Sequence, residues 1–377
     1  MLCRSLRSLN LSTRNLRVRI SYYHGSYTHP RCIGIHSRFG GMRKAEPVPS
    51  AALASADENI AVLPSLERDH VQKVYDAVAA EWHGTRYKAW PKVVEFIEGL
   101  PTRSLIADLG CGNGKLAPAC KSAGHQAIGC DFSIELVRIA ATQMGLQAQA
   151  ADVMALPYRS EIFDAAVSIA VLHHVSTQER RKLLVTETLR VLRPGGLALF
   201  YAWAADQSDG RSGHDFAAGA DVFVPFHSRL KVPPTSSKSE PAARTLNASI
   251  AAATTSCATA ASAVAPKATP PPPRPLPPAS ATGSVACSER ATEDRAASTD
   301  YIEQERVALE AYGGVFDEAK RAVVFQRYCH VYQQDELREL MNSVGGIRIL
   351  SEYYDTGNHC ILVEKNGRAL DLASLSI

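Results

Sequence analysis

No pair among the nine cysteines of this 377-residue chain has Cys-x-x-Cys spacing, and no His/Cys cluster has the spacing of a zinc module. No ribbon-type metal site is indicated, and free thiols in a reduced compartment are expected. Long apolar runs are missing too: Leu197 to Ala205 is among the longest, far short of a membrane span, so a soluble chain without a membrane partner is expected. No internal repeat is visible. Acid is absent from residues 1–45, which carry eight Arg and one Lys, leaving 32 basic against 38 acidic residues over the rest. Bulk charge therefore does not imply a nucleic-acid partner; a grip on phosphate has to come from a local patch or from the basic arm. Large apolar side chains are few from about Arg229 to Thr299, where Ser, Thr, Ala and Pro dominate, as in Thr269-Pro270-Pro271-Pro272-Pro273-Arg274-Pro275. Such a stretch cannot offset the entropy of ordering and is predicted to be disordered.

What remains divides into a basic arm (1–64), a first folded piece (65–228), the insert (229–300), a second folded piece (301–366) and a tail (367–377). The two folded pieces together are long enough to bury a sizeable core. Within the first, Asp108-Leu109-Gly110-Cys111-Gly112-Asn113-Gly114 follows the apolar Leu105-Ile106-Ala107 and precedes a helical pattern. Strand, glycine turn and helix in that order let backbone N–H groups approach a ligand where a Cβ would block it. A tight turn with no ligand is the plain alternative. A second acid, Asp131, lies 23 residues after Asp108 at the end of Ala127-Ile128-Gly129-Cys130, placed to bind a ribose diol. The pair indicates a nucleoside cofactor, and both dinucleotide and S-adenosylmethionine sites use it. Two features favour S-adenosylmethionine: Asp108 could receive its ammonium, and Asp152, ending a third strand, could meet the adenine amine. A solvated loop acid is the alternative for Asp152.

The element pattern alternates as a doubly wound sheet requires. Helices are predicted at about 67–82 and 91–99, the second opening on Pro91. Strand 104–108, helix 114–122, strand 126–130, helix 133–143, strands 147–151 and 163–169, helix 177–191 and strand 196–202 follow. Phe163-Asp164-Ala165-Ala166-Val167-Ser168-Ile169 suits a strand buried on both faces. Helix 334–343 and strands near 347–353 and 359–364 close the pattern. This order matches class I S-adenosylmethionine-dependent methyltransferases, an α/β fold with a Rossmann-like doubly wound sheet and an antiparallel last strand, here interrupted by the insert.

Particular words go further than the fold. Val74-Tyr75-Asp76, Thr85-Arg86-Tyr87-Lys88-Ala89-Trp90-Pro91, Ser168-Ile169-Ala170-Val171-Leu172-His173-His174 and Thr177-Gln178-Glu179-Arg180-Arg181 occur in the first piece. Tyr201-Ala202-Trp203-Ala204, Asp221-Val222-Phe223-Val224-Pro225-Phe226, Arg327-Tyr328-Cys329-His330-Val331-Tyr332 and Val363-Glu364-Lys365 follow. In these the chain resembles the eukaryotic tRNA wobble-uridine carboxymethyl methyltransferases, including the methyltransferase half of AlkB-type tRNA hydroxylase fusions. It departs from that family at Val175 and Phe226, where the family has Trp, and at Cys329, where it has Tyr; aromatic surface is lost, not acids or bases.

The resemblance implies methyl transfer from S-adenosylmethionine to the carboxylate of a carboxymethyl group on a wobble uridine in a tRNA anticodon loop. A carboxylate is ionised at neutral pH, so it needs desolvation and in-line placement more than a base. Arg binds a carboxylate through two parallel hydrogen bonds. Arg86 is thus the leading anchor, with Arg327 and His330 in support, and His173 and His174 are assigned orientation of substrate. Asp108, Gly110, Gly112, Gly114, Asp131, Asp152 and Ala170 are the cofactor residues; Tyr87, Lys88, Trp203 and Asp221 are the substrate residues. Tyr87, Trp90 and Tyr201 read equally as core aromatics or stacking platforms. Arg180-Arg181-Lys182 reads as a solvated helix face rather than a phosphate patch. No metal is expected in the site. The resemblance also implies a small zinc-binding activator subunit on the sheet edge. Alternatives are a small-molecule methyltransferase, a silent regulator keeping the fold and, more remotely, a nicotinamide oxidoreductase. A cytoplasmic location is expected, with the nucleus as a second site. The arm, with Leu2, Leu6 and Leu9 on one helical face beside Arg4, Arg7 and Arg14, raises mitochondrial targeting as the alternative to a tRNA-touching arm or a misassigned start.

Overall fold

The computed structural model describes residues 43–54, 60, 62–85, 89–207, 214–216, 220–230 and 300–367. Most of the basic arm, the insert and the tail lie outside them. Strands of three or more residues, in chain order, are Leu105–Leu109 (β1), Gln126–Asp131 (β2), Gln147–Ala150 (β3), Phe163–Ile169 (β4), Leu192–Trp203 (β5), Asp221–Arg229 (β6), Val315–Asp317 (β7), Ala322–His330 (β8), Ile347–Asp355 (β9) and Asn358–Lys365 (β10). Seven of them form the main sheet in the order β9-β10-β5-β4-β1-β2-β3. β3, β2, β1, β4 and β5 run parallel, whereas β10 pairs antiparallel with β5 and β9 antiparallel with β10. The expected doubly wound sheet with its antiparallel close is therefore present.

The helices that cover it are Lys73–Thr85 (α1), Pro91–Glu98 (α2), Ala117–Ser122 (α3), Ile134–Gln143 (α4), Gln178–Val191 (α5) and Glu336–Val344 (α6). Their starts follow from sequence chemistry. Ser133 Oγ accepts from Leu136 N at 3.2 Å and Thr177 Oγ1 from Arg180 N at 3.2 Å, capping α4 and α5, while Pro91 occupies a first-turn position where its missing N–H costs nothing. Burial on both faces then selects apolar strands. On one face Leu184 and Leu189 of α5 and Leu340 and Met341 of α6 pack with Phe200 and Ile361. On the other, Val93 and Ile97 of α2 and Cys120 of α3 pack with Ile106, Val167 and Leu199.

Sequence periodicity did not predict the second sheet, in the order β7-β8-β6 followed by the two-residue strand Glu46–Pro47. β6 and β8 pair antiparallel from Asp221 opposite His330 to Arg229 opposite Ala322, so residues on either side of the insert meet in one register. Val74 and Val78 of α1 bury against Val323 and Phe325 of β8. Tyr332, just past β8, returns to the main sheet: its N–H donates to Trp203 O at 2.8 Å and its carbonyl accepts from Ala205 N at 2.8 Å. The small sheet is thereby tied to the C-terminal end of β5, where ligands of open α/β sheets bind. No helix among the described residues is long and apolar enough to cross a membrane.

Candidate active site

The glycine turn sits where β1 ends. Gly110 has φ +74°, and a Cβ there would collide with Val171 Cγ2, so only glycine lets the segment after β4 close over the turn. A Cβ on Gly112 would meet nothing within 4 Å, which leaves its outer side open to a ligand. Gly114 shares the positive φ, at +77°. Ala170, just past β4, also holds a left-handed conformation, φ +65°, a strained state for a residue with a Cβ and one that concentrates at functional sites.

Three acids stand at or just past the C-terminal ends of β1, β2 and β3. Asp108 is buried, its Oδ2 has no hydrogen-bond partner, and burial raises its pKa to about 7, against Lys115 and with help from Asp131. Asp131 accepts from Gly112 N at 2.7 Å through Oδ2 and from Ser133 N at 2.9 Å through Oδ1. Asp152 accepts from Met154 N at 2.9 Å, with Arg180 Nη2 3.8 Å from its other oxygen. A buried carboxylate oxygen without a partner fits the ammonium of S-adenosylmethionine, because an opposite charge there would relieve the desolvation cost.

From the turn a chain of contacts leads to the second sheet. Val171 covers Gly110, and the 3₁₀ turn Leu172–His174 follows it. His173 is buried, stacks on Trp203 at 4.7 Å and 18°, and accepts from Trp203 N at 3.3 Å through Nδ1. Trp203 in turn faces the guanidinium of Arg327, whose carbon lies 5.6 Å from the ring centroids of Trp82, Trp203 and Phe226. Arg327 is only 4 % exposed, its Nη1 donates to Tyr75 Oη at 3.3 Å, and its Nε has no hydrogen-bond partner. Burial and the charge of Arg327 push His174 down to about 3, and burial with the neighbouring His174, Arg327 and His330 lowers His173. Both rings are neutral at physiological pH.

His330 and Asp221 belong to a different cluster. His330 Nδ1 lies 3.0 Å from Asp221 Oδ1 and its Nε2 2.5 Å from Glu336 Oε1, while Tyr328 Oη donates to Asp221 Oδ1 at 2.6 Å. Burial alone would lower His330, but its two carboxylate partners outweigh that and raise it. Burial alone would likewise raise Asp221, and the hydrogen bonds from His330 and Tyr328 hold it below its ordinary value. Both residues are thus engaged inside the protein, joining β6, β8 and α6.

Arg86, Tyr87 and Lys88 lie outside the described residues; Thr85, at the end of α1, is the last described residue before them. Arg180 and Arg181 correct the expectation of a solvated helix face: both are buried. Arg180 makes a two-pronged bond to Glu67, Nε to Oε1 at 3.0 Å and Nη2 to Oε2 at 2.9 Å, and donates to Ile60 O at 2.6 Å. Tyr201 is core, with Trp90 stacked on it at 5.3 Å. His173, His174 and Cys329 bring three ligand-type atoms within 4.8 Å of one another. Their chemistry opposes a cation there: both ring nitrogens of His174 are engaged, burial pushes the Cys329 thiol up to about 12, and Arg327 is adjacent.

The sequence reading missed α1 as a wall of the site. Asp76 accepts from Ser133 Oγ at 2.6 Å and His83 Nδ1 lies 3.1 Å from Asn113 Nδ2, so that stripe faces the cofactor turn. Tyr75 and Trp82 form the neighbouring stripe, facing His174 and Arg327. Each pair is seven residues apart, two helical turns, and that spacing was the available signal.

Comparison with known proteins adds the following. The family model described as a methyltransferase domain matches residues 107–200. A tRNA (carboxymethyluridine(34)-5-O)-methyltransferase of Arabidopsis thaliana is 35% identical over 346 residues, covering 83% of this chain and 84% of that protein. The tRNA (carboxymethyluridine(34)-5-O)-methyltransferase ALKBH8 of Macaca fascicularis is 30% identical over 370 residues, covering 95% of this chain and 52% of that protein; the chain spans about half of that relative's length. Among solved structures, a SAM-dependent methyltransferase from Methanosarcina mazei aligns with TM-score 0.39 at 16% identity, over 74% of this chain and 99% of that one.

Proposed function

The chain belongs to the tRNA (carboxymethyluridine(34)-5-O)-methyltransferase family, and from that premise we propose that it methylates the carboxylate of 5-carboxymethyluridine at the wobble position of tRNA. The observation that carries this reading is Arg327: a nearly buried guanidinium, flanked by three aromatic rings, with an unpartnered Nε, linked through Trp203, His173 and Val171 to the cofactor turn. S-adenosylmethionine, when bound, supplies an electrophilic methyl on a positively charged sulfonium. Asp108 would hold its ammonium, Asp131 its ribose and Asp152 its adenine amine, with Gly110, Gly112, Gly114 and Ala170 shaping the turn.

S-adenosylmethionine held by these residues would supply its methyl to the carboxylate oxygen in exchange for the methyl–sulfur bond, so that a neutral ester and a neutral thioether would result. No proton moves, so the neutral His173 and His174 act on orientation and not as bases. The chain's contribution is to strip water from the carboxylate and aim it; the aromatic rings exclude water while the arginine offers parallel donors. Arg327 serves as an anchor, and Arg86, Tyr87 and Lys88, following α1, would complete the substrate side with Trp203. His330 and Asp221 support this wall from behind.

Two further readings follow from the family. An activator subunit would cover the free edge of β3, an end strand whose outer backbone has no partner among the described residues; copurification of a small zinc protein tests it, and full activity with monodispersity alone would count against it. The cytoplasm is the proposed location, and imaging with and without residues 1–45 separates it from mitochondrial targeting.

The decisive experiment is mass spectrometry of tRNA nucleosides from cells lacking this protein. Loss of the methyl-ester uridine with accumulation of the free acid is expected; an unchanged ester level would sink the tRNA assignment.

A further inference from the structure

Three aromatic rings can hold a guanidinium in place, yet cation–π attraction acts on the ring faces and does little to choose which N–H edge points to a substrate. Something else has to set that angle. Tyr75 is in contact with both parties: its hydroxyl oxygen is 2.8 Å from His174 Nε2 and 3.3 Å from Arg327 Nη1.

The direction of these bonds follows from their far end. His174 Nδ1 lies 2.9 Å from Tyr328 O, a backbone carbonyl that can only accept, so Nδ1 carries the ring proton. In a neutral imidazole Nε2 is then an acceptor, and burial keeps this ring neutral. The Tyr75 hydroxyl hydrogen must therefore point at His174. That leaves its oxygen lone pairs to accept from Arg327, so Nη1 is held on the Tyr75 side. The parallel N–H pair used for side-on carboxylate binding, on Nε and Nη2, is the edge that remains, and Nε is the buried nitrogen without a partner.

We propose that Tyr75, locked by His174, is a positioning residue that fixes the guanidinium of Arg327 in the rotation in which its Nε/Nη2 edge receives the substrate carboxylate. This rests on Arg327 being the carboxylate anchor. It also ties the direction of the relay, Arg327 to Tyr75 to His174 to the Tyr328 carbonyl, to substrate choice: the receiving edge is made of donors alone, suited to a carboxylate and poorly suited to the NH₂ of a carboxamide.

Tyr75→Phe is the direct test, because the ring keeps its edge contacts with Trp82 at 5.1 Å and His174 at 5.3 Å. With the full chain and tRNA bearing carboxymethyluridine, kcat should fall about ten- to a hundredfold, the range for one hydrogen bond to a charged group. Cofactor affinity should stay unchanged, while the melting temperature falls modestly because His174 Nε2 loses its donor. The same substitution is then made in an Arg327→Lys background, where no fork remains to be oriented; there it should cost less than about threefold, the non-additivity of residues acting as a unit. Equal cost in both backgrounds overturns the proposal, as does a parallel loss of cofactor affinity. A fully active Tyr75→Phe beside a crippled Arg327→Lys defeats the positioning role and spares the anchor. A fully active Arg327→Lys defeats both.

Discussion

Asp108→Asn offers a test of the cofactor cradle that reads protons instead of activity. The carboxyl is buried, lacks a partner on Oδ2, and has its pKa raised to about 7, chiefly by burial. An acid whose folded pKa is raised stabilises the fold at low pH and progressively less as pH climbs from its ordinary value of 3.8 through about 7. An arriving ammonium favours the ionised form, so binding must expel the proton that the free protein holds. At pH 7 the group is half protonated, and about half a proton should leave per cofactor bound, rising toward about one at pH 6. Titration calorimetry in buffers of different ionisation enthalpy counts this directly, between pH 5.5 and 7, where the cofactor's ammonium stays charged. Affinity should rise with pH across that window. Asp108→Asn should abolish the buffer dependence, weaken binding by about 1.5–3 kcal/mol, and raise the melting temperature of the free protein at pH 8, where the wild type carries an uncompensated buried charge. A wild-type binding enthalpy independent of buffer at pH 6.5, with normal affinity, would refute the placement of the ammonium on Asp108.

Other parts of the structure make independent claims. Arg180→Ala leaves Glu67 buried without its cationic partner and should cost about 3–5 kcal/mol in urea unfolding; a loss below about 1 kcal/mol would show that the pair does not clamp the chain around Glu67 onto α5. Gly110→Ala combines a forbidden φ with a collision against Val171 Cγ2 and should destabilise by about 1–3 kcal/mol, with a larger loss in cofactor affinity; normal binding and melting would mean that the turn is not built around that contact. His330 has a raised pKa in the fold, so its contribution is full below about 6.5 and lost as pH rises through the folded value. Thermal melts of His330→Gln should therefore lose more at pH 6 than at pH 9, and equal loss at both would contradict a charged His330 between Asp221 and Glu336.

The main sheet was legible because its signals are local. Phe163–Ile169 reads as a strand from its own apolar run, and Asp108 through Gly114 announces its turn through glycines that tolerate positive φ. The second sheet was not legible in the same way. β6 is a half-buried and β8 a mostly buried strand separated by the insert, and their register, Asp221 opposite His330 through Arg229 opposite Ala322, is set by pairs 93 to 109 positions apart. Polar residues suffered the same limit. Arg180 and Arg181 carry the composition of a solvated face, and only the tertiary arrival of Glu67 makes a bidentate partner for a buried guanidinium at position 180.

The site itself shows how far single-residue reasoning goes: it puts Arg86, outside the described residues, first as carboxylate anchor and Arg327 in support, and it says nothing of what holds Arg327. Carboxylate chemistry selects Arg at once, since few side chains present two parallel donors. What makes Arg327 usable is supplied by residues whose types carry no such message: Tyr75 and Trp82 lie on a helix that the pattern describes only as amphipathic, and Tyr328 contributes a backbone carbonyl. A carbonyl exists at every position, so its role as the acceptor that orders the whole relay is invisible until β8 brings it against His174. The same reasoning explains why the sequence points to Asp221 as a substrate residue and to His330 as a support for the carboxylate anchor. Their types suit a reactive surface, and it is the packing of α6, which carries Glu336 to His330, that turns them inward and makes them part of the frame on which Arg327 is mounted.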